Sequence, residues 1–280
     1  MLGGRLMYKG YTDVLCNDGL YDNLYNDTSL NIYDCYTNQY LLVRDENGDV
    51  LDRLKWSGDK YERLSYKQIN NNYTGKIKPV NPQQELAFDM LQDKDTTIKV
   101  LTGRFGSGKT FLMIATALQL ISDGKFDKLV WVRNNQEVKD TKAIGALPGE
   151  AIDKLLPFAM PIADHVGGLD GLEFLVKQGK VEIEHLGWIR GRSFSNSIII
   201  CSEAENLTKQ HVQLLIGRVG KGSNLWLDGD FKQIDSKVFE ENNGLRVAID
   251  KLKGHRLFSY VNLEKSERSE TAALADLLDE

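Results

Sequence analysis

Apolar and polar positions follow two different rhythms along this chain. From Gly10 to about Asn72, short alternations occur at Gln39–Val43 and Val50–Trp56, within a stretch crowded with Tyr, Asn and Asp. Period-two alternation sends successive side chains to opposite faces, so both segments are expected to be strands. Between them Asp45-Glu46-Asn47-Gly48-Asp49 carries the Asn-Gly signal of a hairpin whose central positions take positive φ. A small β-rich or α+β unit is therefore expected over residues 1–75.

The segment from Asn70 to Pro79 is polar, contains Gly and Pro, and holds no sustained period, which makes it the candidate boundary. Beyond it, over residues 76–280, the rhythm changes. Thr97–Leu101 is a short β-branched run, and Thr110–Ile121 places Met113, Ala117 and Leu120 at helical spacing. Further strands are expected at Lys128–Val132, Val181–His185, Ile198–Cys201, Asn224–Leu227 and Phe258–Leu263, with a helix over Thr208–Arg218. Strands alternating with helices predict an α/β domain with a mostly parallel sheet covered on both faces.

Between the first strand and helix of that domain, Gly103-Arg104-Phe105-Gly106-Ser107-Gly108-Lys109-Thr110 matches the G-x-x-x-x-G-K-Ser/Thr phosphate-binding loop in full. Glycines let backbone N–H groups turn toward phosphate oxygens, and the following helix N-terminus adds partial positive charge. Lys109 is expected to reach the β- and γ-phosphates and the Thr110 hydroxyl to ligate Mg2+, making ATP with Mg2+ the expected cofactor pair.

Hydrolysis also needs acidic groups at a strand end. Ile198-Ile199-Ile200-Cys201-Ser202-Glu203 supplies that strand, and Glu203 is the candidate for orienting or deprotonating the lytic water. Ser202 stands where an Asp is expected. The metal set is thus Thr110, Ser202 and Glu203, one negative charge short, which weakens the metal field. A third signal, Leu227-Asp228-Gly229-Asp230-Phe231-Lys232-Gln233, ends another strand and offers Asp230 beside the nucleotide and Gln233 as a γ-phosphate sensor.

Composition adds bounds. The formal charge of −5 means that a nucleic-acid partner must meet a local basic patch. Three widely spaced cysteines, Cys16, Cys35 and Cys201, suggest neither a disulfide framework nor a metal pair, and the four isolated histidines suggest no zinc site. Without a signal-like start or a run of roughly 20 apolar residues, a cytoplasmic protein with no membrane partner is expected.

Together these motifs resemble the PhoH family of RecA-like ATPases, related to the first motor domain of superfamily 1 helicases. The resemblance runs from about Asn81 to the C-terminus. It includes Asn81-Pro82-Gln83-Gln84, the phosphate loop, Gly145-Ala146-Leu147-Pro148-Gly149, Ile189-Arg190-Gly191-Arg192-Ser193-Phe194, the Glu203 strand, Gly217-Arg218-Val219-Gly220, Gly229-Asp230 and Ser266-Glu267-Arg268-Ser269. It implies that Gln84 contacts adenine, that Arg268 approaches the γ-phosphate, and that Arg218 is a second candidate for stabilising transition-state charge. Three residues depart from the family pattern: Ser202 for Asp, Glu205 for Gln, and Phe105 for a small residue. Residues before Gly75 resemble the stretch that joins a PIN nuclease to the ATPase in longer members; the nuclease carboxylates are absent, so no nuclease activity is expected.

The same resemblance implies coupling to RNA or single-stranded nucleic acid as a helicase-like motor, in a homo-oligomer that is hexameric by analogy. Local features compatible with that partner are Arg133, Lys139 and Lys142 after one strand, and Trp188, Arg190 and Arg192 before the acidic strand. Basic residues in such places also pair with acids. The alternatives are an ATP-binding switch with negligible turnover and a protein-remodelling ATPase.

Overall fold

The computed structural model describes residues 8–17, 19–133 and 156–267. The N-terminal unit is a four-stranded sheet in the order β1 (Tyr11–Leu15), β2 (Tyr40–Arg44), β3 (Val50–Trp56), β4 (Tyr61–Arg63), with the short helix α1 (Tyr21–Asn26) after β1. β1 and β2 run parallel and the other pairs antiparallel. Leu41 and Val43 on one face of β2 pack with Leu54 and Trp56, while Tyr40 and Leu42 on the other join the main core.

The β2–β3 turn forms where expected, by a different device. Asp45 organises it: its carboxylate accepts the N–H groups of Asn47 at 2.9 Å and Asp49 at 2.8 Å. Positive φ falls on Gly48 (+87°) and not on Asn47. The Asp side chain thus takes over part of the work that a two-residue turn assigns to backbone geometry.

The polar boundary segment folds as the hairpin β5 (Ile69–Asn71) and β6 (Gly75–Ile77). It packs on the long helix that follows the phosphate loop: Asn70 N–H donates to Gln119 Oε1 at 2.8 Å, and buried Ile69 enters the main core. Absence of periodicity concealed it because each strand is only three residues long.

Helix α2 (Pro82–Gln92) starts at Asn81, whose side chain accepts the Gln84 N–H, with Pro82 at the first helical position, where no N–H is needed. The main sheet has six strands, all parallel, in the order β12 (Phe258–Leu263), β7 (Ile98–Gly103), β11 (Asn224–Gly229), β10 (Ser197–Cys201), β8 (Lys128–Arg133), β9 (Val181–His185). α3 (Lys109–Ser122) follows β7. α4 (Met160–Ala163) and α5 (Gly168–Lys177) precede β9, α6 (Lys209–Ile216) joins β10 to β11, and α7 (Lys237–Glu241) and α8 (Gly244–Leu252) lead to β12.

Burial on both faces explains the apolar runs. Ile198 and Ile200 belong to the core on the α3 side of the sheet, whereas Ile199 and Cys201 belong to the core on the α6 and α8 side. Each such side chain contributes on the order of 1.5–3 kcal/mol of transfer free energy. A parallel arrangement also collects every strand's C-terminal end on one edge, where loops from distant sequence meet.

The N-terminal unit is fastened to this domain by specific polar contacts. Asn38 Nδ2 donates to the Phe258 carbonyl at 2.9 Å, and the Tyr40 hydroxyl donates to buried Asp89 at 2.9 Å. Tyr11 donates to Glu264 at 2.7 Å, just beyond β12.

Candidate functional site

The phosphate loop leaves β7 and enters α3 through two left-handed glycines, Gly106 (φ +76°) and Gly108 (φ +84°). Gly103 is required for another reason: a Cβ there would lie 2.6 Å from the Leu263 carbonyl oxygen and 2.8 Å from Ser107 Oγ. Ser107 is buried, while Arg104 and Phe105 are exposed at the outer bend. Lys109 opens α3 and Thr110 follows, so the helix N-terminus begins where the loop ends.

Neighbouring segments brace the loop. The Gln84 amide is buried beneath it, donating from Nε2 to the Ser107 carbonyl at 3.2 Å and accepting the Val80 N–H at 3.1 Å. From the other side, Glu267 N–H donates to the Gly106 carbonyl at 2.9 Å and Ser266 Oγ to the Phe105 carbonyl at 3.1 Å. Gln83 ties the two braces together by accepting the Glu264 N–H at 2.9 Å. Arg268, the next residue after Glu267, lies outside the described residues, as do Lys139, Lys142 and the Gly145–Gly149 motif.

Beside the loop, the ends of β10 and β11 contribute acids. Thr110 Oγ1 donates to Asp228 Oδ2, and the other oxygen of Asp228 accepts the Glu203 N–H at 3.1 Å. Asp228 is 1% exposed, and burial pushes its carboxyl above the usual range. Ser202 Oγ is buried and has no hydrogen-bond partner among the described residues. Glu203 has a left-handed backbone (φ +55°), and its carboxylate reaches Arg133 Nη2 at the end of β8, 2.5 Å away.

Glu205 is buried behind this edge. Its Oε2 accepts the Asp230 N–H at 3.1 Å, and burial, reinforced by the charges of Asp228 and Glu203, pushes its carboxyl up to about 8. Asp230 itself is buried and accepts the Lys232 N–H at 3.0 Å. A cleft of about 240 Å³ opens here, lined by Gly103, Arg104, Asp230, Lys232, Asn262 and Glu264 among others.

Most of the sequence-predicted residues therefore gather at one edge: the loop from Gly103 to Thr110, Gln84, Ser202, Glu203 and Asp230. Gln233 follows on the exposed turn, its N–H donating to the Asp230 carbonyl at 2.8 Å. Arg218 does not join them. It follows α6, where its carbonyl accepts the Phe194 N–H ahead of β10, at the edge of the sheet away from the loop.

Sequence reasoning passed over Asp228 and the Arg133 contact to Glu203. Asp228 was visible only as part of a turn, although its place at the end of a buried strand, one residue before Gly229, was the available signal. Of the cations suggested for nucleic acid, Arg192 is taken up by Glu182 and Glu184 and Arg133 by Glu203. Trp188 is 57% exposed, and Arg190 close by is exposed as well.

The donor set fits a nucleoside triphosphate with a divalent cation. Two left-handed glycines form the cradle, a helix N-terminus and Lys109 supply positive charge, and hydroxyl and carboxylate oxygens meet at Thr110. Among the described residues, no helix is long and apolar enough to cross a membrane.

The family model described as PhoH-like protein matches residues 76–276. Protein PhoH2 of Bacillus subtilis is 36% identical over 289 residues, covering 97% of this chain and 64% of that protein. Protein PhoH2 of Mycolicibacterium smegmatis is 33% identical over 202 residues, covering 71% of this chain and 46% of that protein. The PhoH-like protein of Bacillus subtilis is 29% identical over 210 residues, covering 74% of this chain and 65% of that protein. The chain thus spans less than two thirds of the length of each of these curated relatives.

Proposed function

Because the chain belongs to the PhoH family of P-loop ATPases, we propose that it binds and hydrolyses ATP with magnesium and couples turnover to single-stranded RNA or a related nucleic acid. The observation that carries the reading is the convergence of a complete phosphate loop, a buried carboxylate on Thr110 and a glutamate at the adjoining strand end.

Bound ATP with magnesium supplies the anhydride to be broken and a divalent charge on its phosphates. The protein's own groups divide the remaining work. Gly106, Gly108 and the α3 N-terminus position the phosphates, and Lys109 offers its ammonium to the outer ones. Glu203 orients the lytic water and accepts its proton once its carboxylate leaves Arg133. Gln84 fixes the loop from beneath, and one N–H and one lone pair of its amide are left for the adenine edge. Asp230 lines the adjoining cleft and Gln233 follows on the exposed turn toward the γ-phosphate.

Trp188 and Arg190 supply the aromatic face and the cation for a nucleic-acid base and its phosphate. Arg218, whose Nη1 donates to the Arg192 carbonyl at 3.0 Å, lies at the edge of the sheet away from the loop, so on this reading it acts on a neighbouring subunit's site in a ring, and Arg268 on its own. Residues 76–280 form the motor and residues 1–75 an accessory unit.

A second reading, an ATP-binding switch with slow turnover, is favoured by the Glu203 pairing with Arg133 and by the uncharged Ser202. Phosphate release with and without single-stranded RNA separates the two. RNA-stimulated release that is lost in Trp188→Ala supports the motor; tight ATP binding with no release under any of these conditions replaces it with the switch.

A further inference from the structure

Building on the nucleotide reading above, we propose that Asp228 is the carboxylate that serves the magnesium position beside Thr110, supplying from β11 the charge that Ser202 lacks on β10. Register makes the substitution possible. β10 and β11 run parallel with Cys201 opposite Leu227, so one residue further on Ser202 and Asp228 are neighbours across the two strand ends. β11 also lies between β7 and β10, so an acid at its end is one strand closer to the phosphate loop than an acid at position 202.

Local bonding fits this role. A threonine hydroxyl that gives a lone pair to a metal must place its proton elsewhere, and an acceptor behind it fixes the orientation. Asp228 Oδ2 is that acceptor, because it takes the proton of Thr110 Oγ1. Its other oxygen is fixed by the Glu203 N–H at 3.1 Å, so one carboxylate aligns both the metal-ligating hydroxyl and the backbone of the glutamate that faces water.

Charge bookkeeping across the two positions points the same way. Both of these donors are uncharged, and among the described residues Asp228, 1% exposed, forms no salt bridge, although the Lys109 ammonium attracts it from beyond contact distance. Burying a carboxylate on such terms is costly unless a cation arrives beside it. Ser202, 5% exposed with an unpartnered Oγ, is buried where the acid is expected and is uncharged. Positions 202 and 228 therefore hold one acid between them, on β11 instead of β10.

The test uses the full chain, a non-hydrolysable ATP analogue, and Mn2+ as a spectroscopic probe, with free Mn2+ read by electron paramagnetic resonance. Asp228→Asn is expected to weaken Mn2+ in the ternary complex by about ten-fold or more. Analogue binding in EDTA should stay within about two-fold of the parent, since the loop itself is untouched. The exchange chain, Asp228→Ser with Ser202→Asp, should regain Mn2+ affinity, because it returns one acid to the pair; this chain also decides the matter if Asp228→Asn unfolds. Parent-like Mn2+ affinity in folded Asp228→Asn, or a folded exchange chain that remains weak, overturns the assignment of Asp228 while leaving the nucleotide reading intact. A parent chain that binds no analogue with or without Mn2+ overturns both.

Discussion

Arg133, at the end of β8, holds the Glu203 carboxylate at 2.5 Å across the C-terminal edge of the sheet. The glutamate proposed to activate water is thus paired with a cation whose own neighbourhood was a candidate for nucleic-acid contact. If a phosphate draws Arg133 away, Glu203 is released toward the nucleotide, which gives the two sites a physical link. Arg133→Ala is expected to raise RNA-free phosphate release several-fold and to shrink the additional stimulation by RNA. The glutamate is half exposed, and exposed pairs contribute only about 0–1 kcal/mol, so thermal unfolding should barely move. A variant whose basal turnover falls would show that Arg133 supports the glutamate instead of restraining it.

Contiguous signals were the legible ones. The phosphate loop is eight successive residues whose chemistry is local, and Ile198–Cys201 is apolar throughout because both of its faces are covered. Asp228 is different: its importance depends on which strand lies between β7 and β10, a fact of topology that no spacing along the chain encodes. The same holds for Arg133 and Glu203, 70 residues apart in sequence. Gln84 was recognised by resemblance to its motif, but its bond to the Ser107 carbonyl emerged only when α2 was packed under the loop. Hairpin β5–β6 escaped notice because its strands are too short for a period to register.

Lys109 and Glu203 should separate binding from chemistry. Removing the ammonium in Lys109→Ala takes away the charge proposed to meet the outer phosphates, so equilibrium binding of a fluorescent ATP analogue is expected to weaken by about ten-fold or more. Glu203→Gln keeps the size of the side chain and loses its basicity. Analogue binding should persist while phosphate release falls by about 10²- to 10⁴-fold, the usual contribution of a positioned base. Turnover in Glu203→Gln close to that of the parent would remove Glu203 from the chemical step.

Gln84 offers a test of the brace beneath the loop. Gln84→Ala deletes the bonds to the Val80 N–H and the Ser107 carbonyl and leaves both backbone groups to find new partners. Losing such buried bonds costs about 1–3 kcal/mol, so denaturant midpoints should fall and analogue affinity should fall with them. Unchanged stability with selective loss of adenine over guanine nucleotides would instead assign the amide to base recognition alone.

Glu205 makes the site's stability depend on pH in a predictable direction. Burial first, then the charges of Asp228 and Glu203, hold its folded carboxyl up to about 8, compared with 4.5 for an ordinary glutamate. Between those two values the folded protein retains a proton that the unfolded chain has released. Stability from this group is therefore fully present below about pH 4.5 and is lost as pH rises toward 8. Glu205→Gln keeps an oxygen for the Asp230 N–H and removes the titration. Denaturant unfolding at pH 6 and at pH 8.5 should show the parent losing on the order of a few kcal/mol more than the Gln variant across that interval. Every other ionisable group is shared, so the difference between the two chains reports position 205 together with its coupling to Asp228 and Glu203, and parallel pH curves would place its proton elsewhere.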